Sequence, residues 1–270
     1  MPVYIDDLNR RITLSGPARR IIALSPAVTE NLFAIGAGNT VVACTSADTY
    51  PSQVARIPRV GDFGTPRYEM IRALKPDLLI AESGTLSAGE IERIADRAKV
   101  PVFAQLSRTY DDVARHLGQL GSITGHVSEA GHSINELLHV ANVVKRQVAG
   151  QKPVTAFIEV SHSPLYAAGP GSFLDDLLKR AGGINVVRTR EPYPQYSREA
   201  LLAANPQVYI VTIPGATERI KKTDRLPPPF DQLTAAKTGR IFALPSDLLF
   251  RPTPRLAKGL VLLVQALHGR

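Results

Sequence analysis

The sequence predicts an α/β protein made of two lobes that are joined by one long α-helix. In each half of the chain, short apolar runs alternate with segments of helical periodicity. Residues 128–148, between the halves, contain no proline and carry apolar side chains on one helical face. The two halves also share a pattern, because residues 71–80 and 201–211 each combine a helix end, a proline and an apolar strand.

The first half of the chain predicts a parallel sheet covered by helices. Apolar runs bounded by turn residues predict strands at residues 20–26, 40–46, 77–82 and 100–106. Helical spacing predicts helices at residues 29–35, 69–74 and 91–98. Strands that alternate with helices in this way form parallel sheets with helices on both faces.

The second half repeats the alternation. Its predicted strands are residues 154–160, 207–213 and 241–245. Its predicted helices are residues 172–183, 198–205 and 254–268. We therefore expect a second α/β lobe of similar topology.

The long segment between the halves sets the expected domain boundaries. A helix of about 20 residues spans roughly 30 Å, so this segment is either an ordinary packed helix or a rigid connection between lobes. The two-half organisation favours the connection. We predict an N-terminal lobe at residues 1–124, an interlobe helix at 125–150 and a C-terminal lobe at 151–270.

Composition excludes several classes of function. Hydrophobic residues make up 44% and charged residues 21% of the chain, which is typical of soluble globular proteins. No stretch approaches the roughly 18–20 apolar residues of a membrane span. The net charge is +8, but Lys and Arg are scattered and Trp is absent, so we expect no nucleic-acid partner.

The sequence contains no motif of a known catalytic or metal site. It lacks the GxSxG turn of α/β hydrolases, a Walker loop, a GxGxxG turn and the HExxH pair of zinc proteases. It has one cysteine and six histidines, without the spacing of a metal site. We therefore predict no catalytic residues, no bound metal centre and no catalytic cofactor, and we expect that the protein is not an enzyme.

Polar and aromatic residues instead follow the predicted strands, where open α/β sheets bind their ligands. Several of the aromatic residues stand beside prolines, which hold a large contact surface at a low entropic cost. This arrangement suits a bulky, partly apolar ligand. The segments that carry these residues are 25–26, 48–51, 61–64, 163–166, 192–196 and 247–251.

The sequence resembles a known family. Residues 20–38, 48–51 and 71–80 resemble the N-terminal lobe of class III periplasmic binding proteins, which serve ABC importers of cobalamin, ferric siderophores and haem. Residues 192–207 and 246–267 resemble the corresponding stretches of its cobalamin-binding members. The resemblance implies two Rossmann-like lobes that face each other across a cleft and are joined by a single long α-helix.

The resemblance also implies roles for individual residues. Cobalamin would lie in the cleft between the rings of Tyr50, Phe63, Tyr166 and Tyr193. Asp247 and Arg251 would contact its polar rim.

The resemblance further places Glu69 and Glu199, one in each lobe, on the surface that docks onto arginines of the membrane permease. Each is also an ordinary first-turn carboxylate, which the helix dipole favours.

The identity of the ligand has two alternatives. Cobalamin-binding members tend to carry tryptophan where this chain has Phe63 and Tyr193, so the resemblance leaves other ligands open. A ferric siderophore is the first alternative. Anionic chelates would be held by arginines, for which Arg67, Arg188, Arg190 and Arg251 are candidates. Haem is the second alternative, although Phe63 replaces a tyrosine that ligates iron in haem-binding members; His162 or Tyr50 would then be the substitute.

The resemblance also implies the setting of the protein. We expect a monomer that binds cobalamin or a related metal chelate and delivers it to an ABC permease/ATPase complex in the inner membrane. The N-terminal residues, MPVYIDDLNRR, lack the features of a secretion signal, which fits a cytosolic protein or an exported domain without its leader. The resemblance favours the second, and so a periplasmic location.

Overall fold

The computed structural model describes residues 1–62, 64–82, 86–214, 221–222 and 226–269, with Lys221 described by its backbone only. These residues form two compact units. Unit 1 comprises Met1–Ser107 and Asp111–Glu136, and unit 2 comprises Arg108–Tyr110 and Leu137–Arg270. The division into residues 1–124, 125–150 and 151–270 remains a prediction.

Unit 1 is built on a parallel four-stranded sheet. Its elements are β1 (Val3–Ile5), β2 (Arg11–Thr13), β3 (Ile21–Ala23), α1 (Pro26–Ala34), β4 (Val41–Ala43), β5 (Gly61–Asp62), β6 (Thr65–Pro66), α2 (Tyr68–Leu74), β7 (Leu78–Glu82), α3 (Ala88–Ala98), β8 (Val102–Gln105) and, except for its first residue, α4 (Tyr110–Thr124). Helix α5 (Val127–Val148) begins in unit 1 and passes into unit 2 after Glu136. Short 3-10 helices occur at Gly38–Thr40 and Ser52–Arg56. The strand order is β4-β3-β7-β8, and the neighbouring strands are parallel.

The central strands of unit 1 are buried along their whole length. Every residue of β7 and of β8 is buried, as expected for a parallel sheet covered on both faces. Helix α1 packs on β7, and α3 packs on β8. Helix α3 begins with a capping box, in which Glu90 N donates to Ser87 Oγ at 3.3 Å and Ser87 N donates to Glu90 Oε2 at 2.7 Å.

Unit 2 repeats this architecture. Its elements are β9 (Val154–His162), β10 (Leu165–Ala167), α6 (Phe173–Arg180), β11 (Gly183–Asn185), α7 (Arg198–Ala204), β12 (Val208–Ile213), β13 (Lys221–Lys222), α8 (Thr234–Lys237), β14 (Ile241–Pro245), α9 (Ser246–Phe250) and α10 (Leu256–His268), with a 3-10 helix at Phe230–Gln232. Strands β11, β9, β12 and β14 are parallel neighbours in that order. Strands β10 and β13 extend the sheet in antiparallel fashion.

The internal similarity suggested by the sequence is present in the fold. Both parallel sheets have the same order: the strand that comes first in the sequence of each sheet, β3 or β9, lies second, between the next strand and the two later ones. Helices α2 and α7 both end at a residue with a left-handed conformation, Lys75 (φ 47°) and Asn205 (φ 41°). A proline follows each of these residues, and a buried strand follows each proline.

The predicted strands and helices are confirmed, but the structure contains further elements that the sequence did not predict, among them β11 and α4. Strand β11 has the sequence GIN, and glycine and asparagine disfavour strands. Helix α4 contains Gly118 and Gly121, which weaken a helical pattern. Gly121 is required by packing, because a Cβ there would lie 2.6 Å from the Cβ of Ala130 on α5.

We predict that Leu201→Ala lowers the free energy of unfolding by about 2–5 kcal/mol. Leu201 is fully buried on α7 and belongs to the core of unit 2. The matched control is Leu202→Ala, because Leu202 is only partly buried on the same helix. Denaturant unfolding of both variants measures the difference, and an equal loss of stability in the two would contradict this account of the core.

Candidate ligand-binding site

In unit 1, the loop after β4 presents Tyr50. The loop is fixed by hydrogen bonds: Thr45 N donates to the buried carboxylate of Asp48 at 3.0 Å, and Ser46 N donates to Gly61 O at 2.9 Å. The tyrosine side chain projects from this fixed loop and is 43% exposed. Phe63, the other predicted aromatic contact of this half, lies outside the described residues.

The carboxyl ends of β7 and β8 carry a buried polar cluster, formed by Asp7, Glu82, Ser107 and His116. His116 is enclosed by two partners: its Nε2 lies 2.7 Å from Asp7 Oδ2, and its Nδ1 lies 3.1 Å from Ser107 Oγ. The backbone N–H of Ser107 donates to Glu82 Oε1 at 3.0 Å. The sequence did not predict this cluster, because its members come from distant segments and form no local motif.

The pKa values of the two carboxylates of the polar cluster are shifted in opposite directions. Burial raises the pKa of Glu82 to about 7, and the negative charges of Asp7 and Asp112 add to the shift. Burial also acts to raise the pKa of Asp7, but hydrogen bonds from His116, Arg115 and the Leu106 backbone outweigh it and hold that pKa well below its ordinary value. Near neutral pH, Asp7 is therefore ionised, whereas Glu82 is close to its midpoint.

In unit 2, the loop that contains Tyr193 pairs with β10. Tyr196 N donates to Leu165 O, Ala167 N to Pro194 O, and Gly169 N to Pro192 O, at 2.9, 3.1 and 2.8 Å. Together with the antiparallel bridge between Tyr166 and Gln195, these bonds define one continuous antiparallel register. In that register Tyr166 and Tyr193 lie diagonally on the same face, within reach of a shared aromatic contact.

The exposed tyrosines are those that the sequence singled out. The chain has eight tyrosines, and only Tyr50, Tyr166 and Tyr193 are more than a third exposed, at 43%, 37% and 40%. Partial burial nevertheless raises the pKa of Tyr193, against the opposing effect of a hydrogen bond with the Phe173 backbone. The Tyr193 hydroxyl is therefore protonated over the whole neutral range and remains a hydrogen-bond donor.

Asp247 and Arg251 form an ion pair at the carboxyl end of β14. Both belong to the α9 segment, and Arg251 Nη2 lies 3.3 Å from Asp247 Oδ1. The two side chains are largely buried, at 17% exposure for Arg251 and 34% for Asp247. The structure thus places Asp247 and Arg251, both predicted to contact the ligand, beside each other as one ion pair.

Glu69 and Glu199 occupy equivalent positions in the two units. Each is the second residue of its helix, α2 or α7, and each is exposed. Glu69 Oε1 lies 3.5 Å from Arg72 Nη2 on the same helix. Such an exposed pair contributes little to stability. Because both carboxylates are exposed, a partner can reach them.

The matching family identifies the class of protein. The sequence profile of the family described as "Periplasmic binding protein" matches residues 21–248, and the chain belongs to this family. It is a family of solute-binding transport proteins, which confirms the prediction that the protein is not an enzyme. Within the described residues, no helix is long and apolar enough to cross a membrane.

Curated relatives agree with this assignment over nearly the whole chain. The chain is 26% identical to an uncharacterized ABC transporter substrate-binding lipoprotein, YvrC, of Bacillus subtilis, over 99% of this chain and 86% of the relative. It is 28% identical to the vitamin B12-binding protein of Vibrio cholerae, over 88% of this chain and 85% of the relative.

Solved structures confirm the fold class. The periplasmic vitamin B12-binding protein BtuF of Vibrio cholerae matches with a TM-score of 0.79 and 25% identity, over 93% of this chain and 96% of that one. The haem-binding protein BhuT, in complex with two haems, matches with a TM-score of 0.78 and 21% identity, over 93% and 98%. A protein of an Fe3+-hydroxamate transport system from Saccharomonospora viridis matches with a TM-score of 0.76 and 21% identity, over 98% of each chain. The prediction of two Rossmann-like lobes joined by one long helix, the class III fold, is therefore confirmed.

We predict that Glu82→Gln makes stability less sensitive to pH. The unfolded chain releases the Glu82 proton near pH 4.5, whereas the folded protein retains it to about pH 7, so the native protein loses stability as pH rises between these values. The glutamine variant has no such loss. Its stability relative to the native protein should rise by up to about 3 kcal/mol from about pH 4.5 to about pH 8.

The measurement is denaturant unfolding of both proteins across this pH range. Glu92→Gln, on the exposed side of α3, is the control for the removal of a surface carboxylate. A constant difference between Glu82→Gln and the native protein at all pH values would contradict the assignment of a neutral, buried acid.

Proposed function

We propose that this protein is the periplasmic substrate-binding component of an ABC importer, and that it captures cobalamin and delivers it to the membrane permease. One observation carries the proposal: the exposed tyrosines stand at or beyond strand ends in both units. Tyr50 lies in the loop after β4, Tyr166 in the short strand β10 that follows β9, and Tyr193 in the segment after β11. In open α/β sheets, ligands bind at the carboxyl ends of the strands. We infer that the ligand contacts loops of both units.

The chemistry of the exposed residues suits a large macrocycle. Tyrosine rings supply broad apolar contact area with a hydroxyl at one end, and a corrin ring presents two wide faces with polar groups around its edge. Tyr50, Tyr166 and Tyr193 would cover the faces. The ion pair of Asp247 and Arg251 would contact the polar periphery, where Arg offers several hydrogen-bond donors.

A ferric siderophore or haem is the second candidate cargo. Arg188 and Arg190 are both exposed in the segment that leads to Tyr193, and arginine binds anionic oxygen groups well. The fold also occurs in a haem-binding protein and in a ferric-hydroxamate system, so it is compatible with either cargo. The relatives named for vitamin B12 are the reason for placing cobalamin first.

We predict that Tyr50→Ala and Tyr193→Ala each weaken cobalamin binding at least tenfold, because each removes one ring from the ligand contact. A tenfold loss corresponds to about 1.4 kcal/mol, within the range expected for an interface aromatic residue. Titration calorimetry with cyanocobalamin measures the affinity, and Tyr4→Ala, in β1 of unit 1, is the control.

Native affinity in both site variants would contradict the proposed contacts. Binding of only ferric haem or a ferric siderophore by the native protein would select the second cargo.

We predict that the double variant Glu69→Lys/Glu199→Lys retains ligand affinity but supports no transport. The two carboxylates are exposed and equivalently placed, and we propose that they dock onto permease arginines. The measurement pairs calorimetry of the purified variant with uptake by the reconstituted importer. Glu92→Lys reverses an exposed charge elsewhere and should transport normally. Loss of ligand binding in the double variant, or normal transport, would contradict the docking role.

A further inference from the structure

The two helices that carry the proposed docking acids differ in charge. Helices α2 and α7 correspond position by position, because Glu69 and Glu199 are each the second residue and both helices end at a left-handed residue that a proline follows. From the N-cap to this left-handed residue, α2 has three basic residues and one acid at residues 67–75, a net charge of +2. The same positions of α7, residues 197–205, hold one basic residue and one acid, a net charge of 0.

The basic positions of α2 are neutral in α7. Arg67, Arg72 and Lys75 stand where α7 has Ser197, Leu202 and Asn205. The one basic residue of this part of α7, Arg198, corresponds to Tyr68. The buried residue of each helix is at the same position, Ile71 or Leu201, and the three basic residues of α2 are exposed. The charge difference therefore lies on the outer surface and is not required by packing.

Arg72 is held beside Glu69. Its Nη1 donates to the backbone carbonyl of Arg97 at 3.0 Å, in the last turn of α3, where helix carbonyls have no intrahelical partner. Its Nη2 lies 3.5 Å from Glu69 Oε1. The Arg72 side chain still keeps 49% of its surface exposed. It therefore presents a positioned positive charge directly beside the proposed docking acid.

A second arginine packs against the start of α2. The guanidinium carbon of Arg97 lies 5.5 Å from the centre of the Tyr68 ring, a distance typical of a cation–π contact, and Arg97 is exposed. Tyr68 directly precedes Glu69. Glu69, Arg72 and Arg97 thus form an exposed α2 charge cluster, with one carboxylate and two guanidinium groups that are each held by a neighbouring helix.

This cluster restricts the partner surface that can dock on it. A partner arginine that binds Glu69 comes close to the guanidinium groups of the cluster, and like charges brought together at an interface oppose association. An arginine that is covered without an acceptor also loses its hydration without compensation. A partner carboxylate opposite Arg72 removes both costs, because arginine forms bidentate hydrogen bonds with carboxylates. On α7, where Leu202 replaces Arg72, this requirement does not arise.

We propose that the importer surface that faces α2 is mixed, with a basic group that binds Glu69 and an adjacent carboxylate that binds Arg72. This inference rests on the proposed docking of Glu69 and Glu199, and it specifies the chemistry of the partner. The surface that faces α7 needs only the basic group. The two helices therefore fit partner surfaces of different composition.

The test measures docking to the reconstituted importer in nanodiscs by surface plasmon resonance, without any chelate. We expect Arg72→Glu to weaken docking about tenfold or more, because a carboxylate then faces a carboxylate. Arg72→Lys should dock within about threefold of the native protein, because the positive charge remains. The swapped variant Glu69→Arg/Arg72→Glu leaves the net charge of α2 unchanged but should still lose docking. Arg146→Glu reverses an exposed arginine on α5 and, as the control, should dock normally.

The hydrogen bond of Arg72 with the end of α3 also has a structural role, so thermal unfolding checks each variant. If Arg72→Glu does not fold, Arg72→Gln replaces it. This variant removes the charge and should weaken docking about threefold or more. A loss of docking in a folded variant, together with native docking of Arg146→Glu, supports the partner carboxylate.

The sign of the effect decides between the alternatives. Stronger docking of Arg72→Glu would overturn the inference, because the importer would then offer only basic groups to α2. Unchanged docking of Arg72→Glu, or native docking of the swapped variant, would overturn it as well. The double variant Glu69→Lys/Glu199→Lys separates this result from a failure of the proposed function. If the double variant docks normally, or the native protein does not dock, the docking role of both acids fails together with the inference.

Discussion

The burial of both faces of the parallel sheets is the constraint on which the rest of the structure depends. Strands β7 and β8 are buried at every residue, so the middle of each strand admits only apolar side chains. Polar groups and exposed rings are displaced to the strand ends and the loops that follow them. The candidate site is therefore a consequence of the fold, because polar and exposed aromatic side chains lie at the carboxyl ends of the strands in each sheet.

Both units place a buried acid near the end of a central strand, but they satisfy it differently. In unit 1, Glu82 on β7 accepts a hydrogen bond from the Ser107 backbone, and burial moves its pKa to about 7. In unit 2, Glu159 on β9 accepts a hydrogen bond from Tyr209 and has His162 beside it. The first arrangement makes the edge of unit 1 sensitive to pH near neutrality. The second satisfies the buried acid with a hydrogen bond from within the sheet.

Sequence reasoning succeeded where a pattern is local. The apolar runs of β7 and β12 and the periodicity of α5 were sufficient to predict those elements. It failed where structure arises from distant segments. The polar cluster joins Asp7 to His116 across most of unit 1, and no spacing rule connects them.

Local irregularities were equally beyond prediction. The bulge at Val160 is defined only by the pairing of β9 with β10, and the contact of Tyr166 with the Tyr193 loop depends on backbone bonds between separate segments. The sequence also gave no sign that Asp247 and Arg251 pair with each other. These features depend on register, and register is a property of the folded sheet.

The central claim is that a metal chelate binds at the strand ends of both units. Hydrogen exchange of the amides, measured with and without saturating cyanocobalamin, ferric haem or a ferric trihydroxamate, tests it most directly. The account predicts that one of these chelates protects residues 48–54 of unit 1 and residues 161–169 and 193–197 of unit 2. Protection confined to one unit, or to α5 and α10 away from the strand ends, would contradict it.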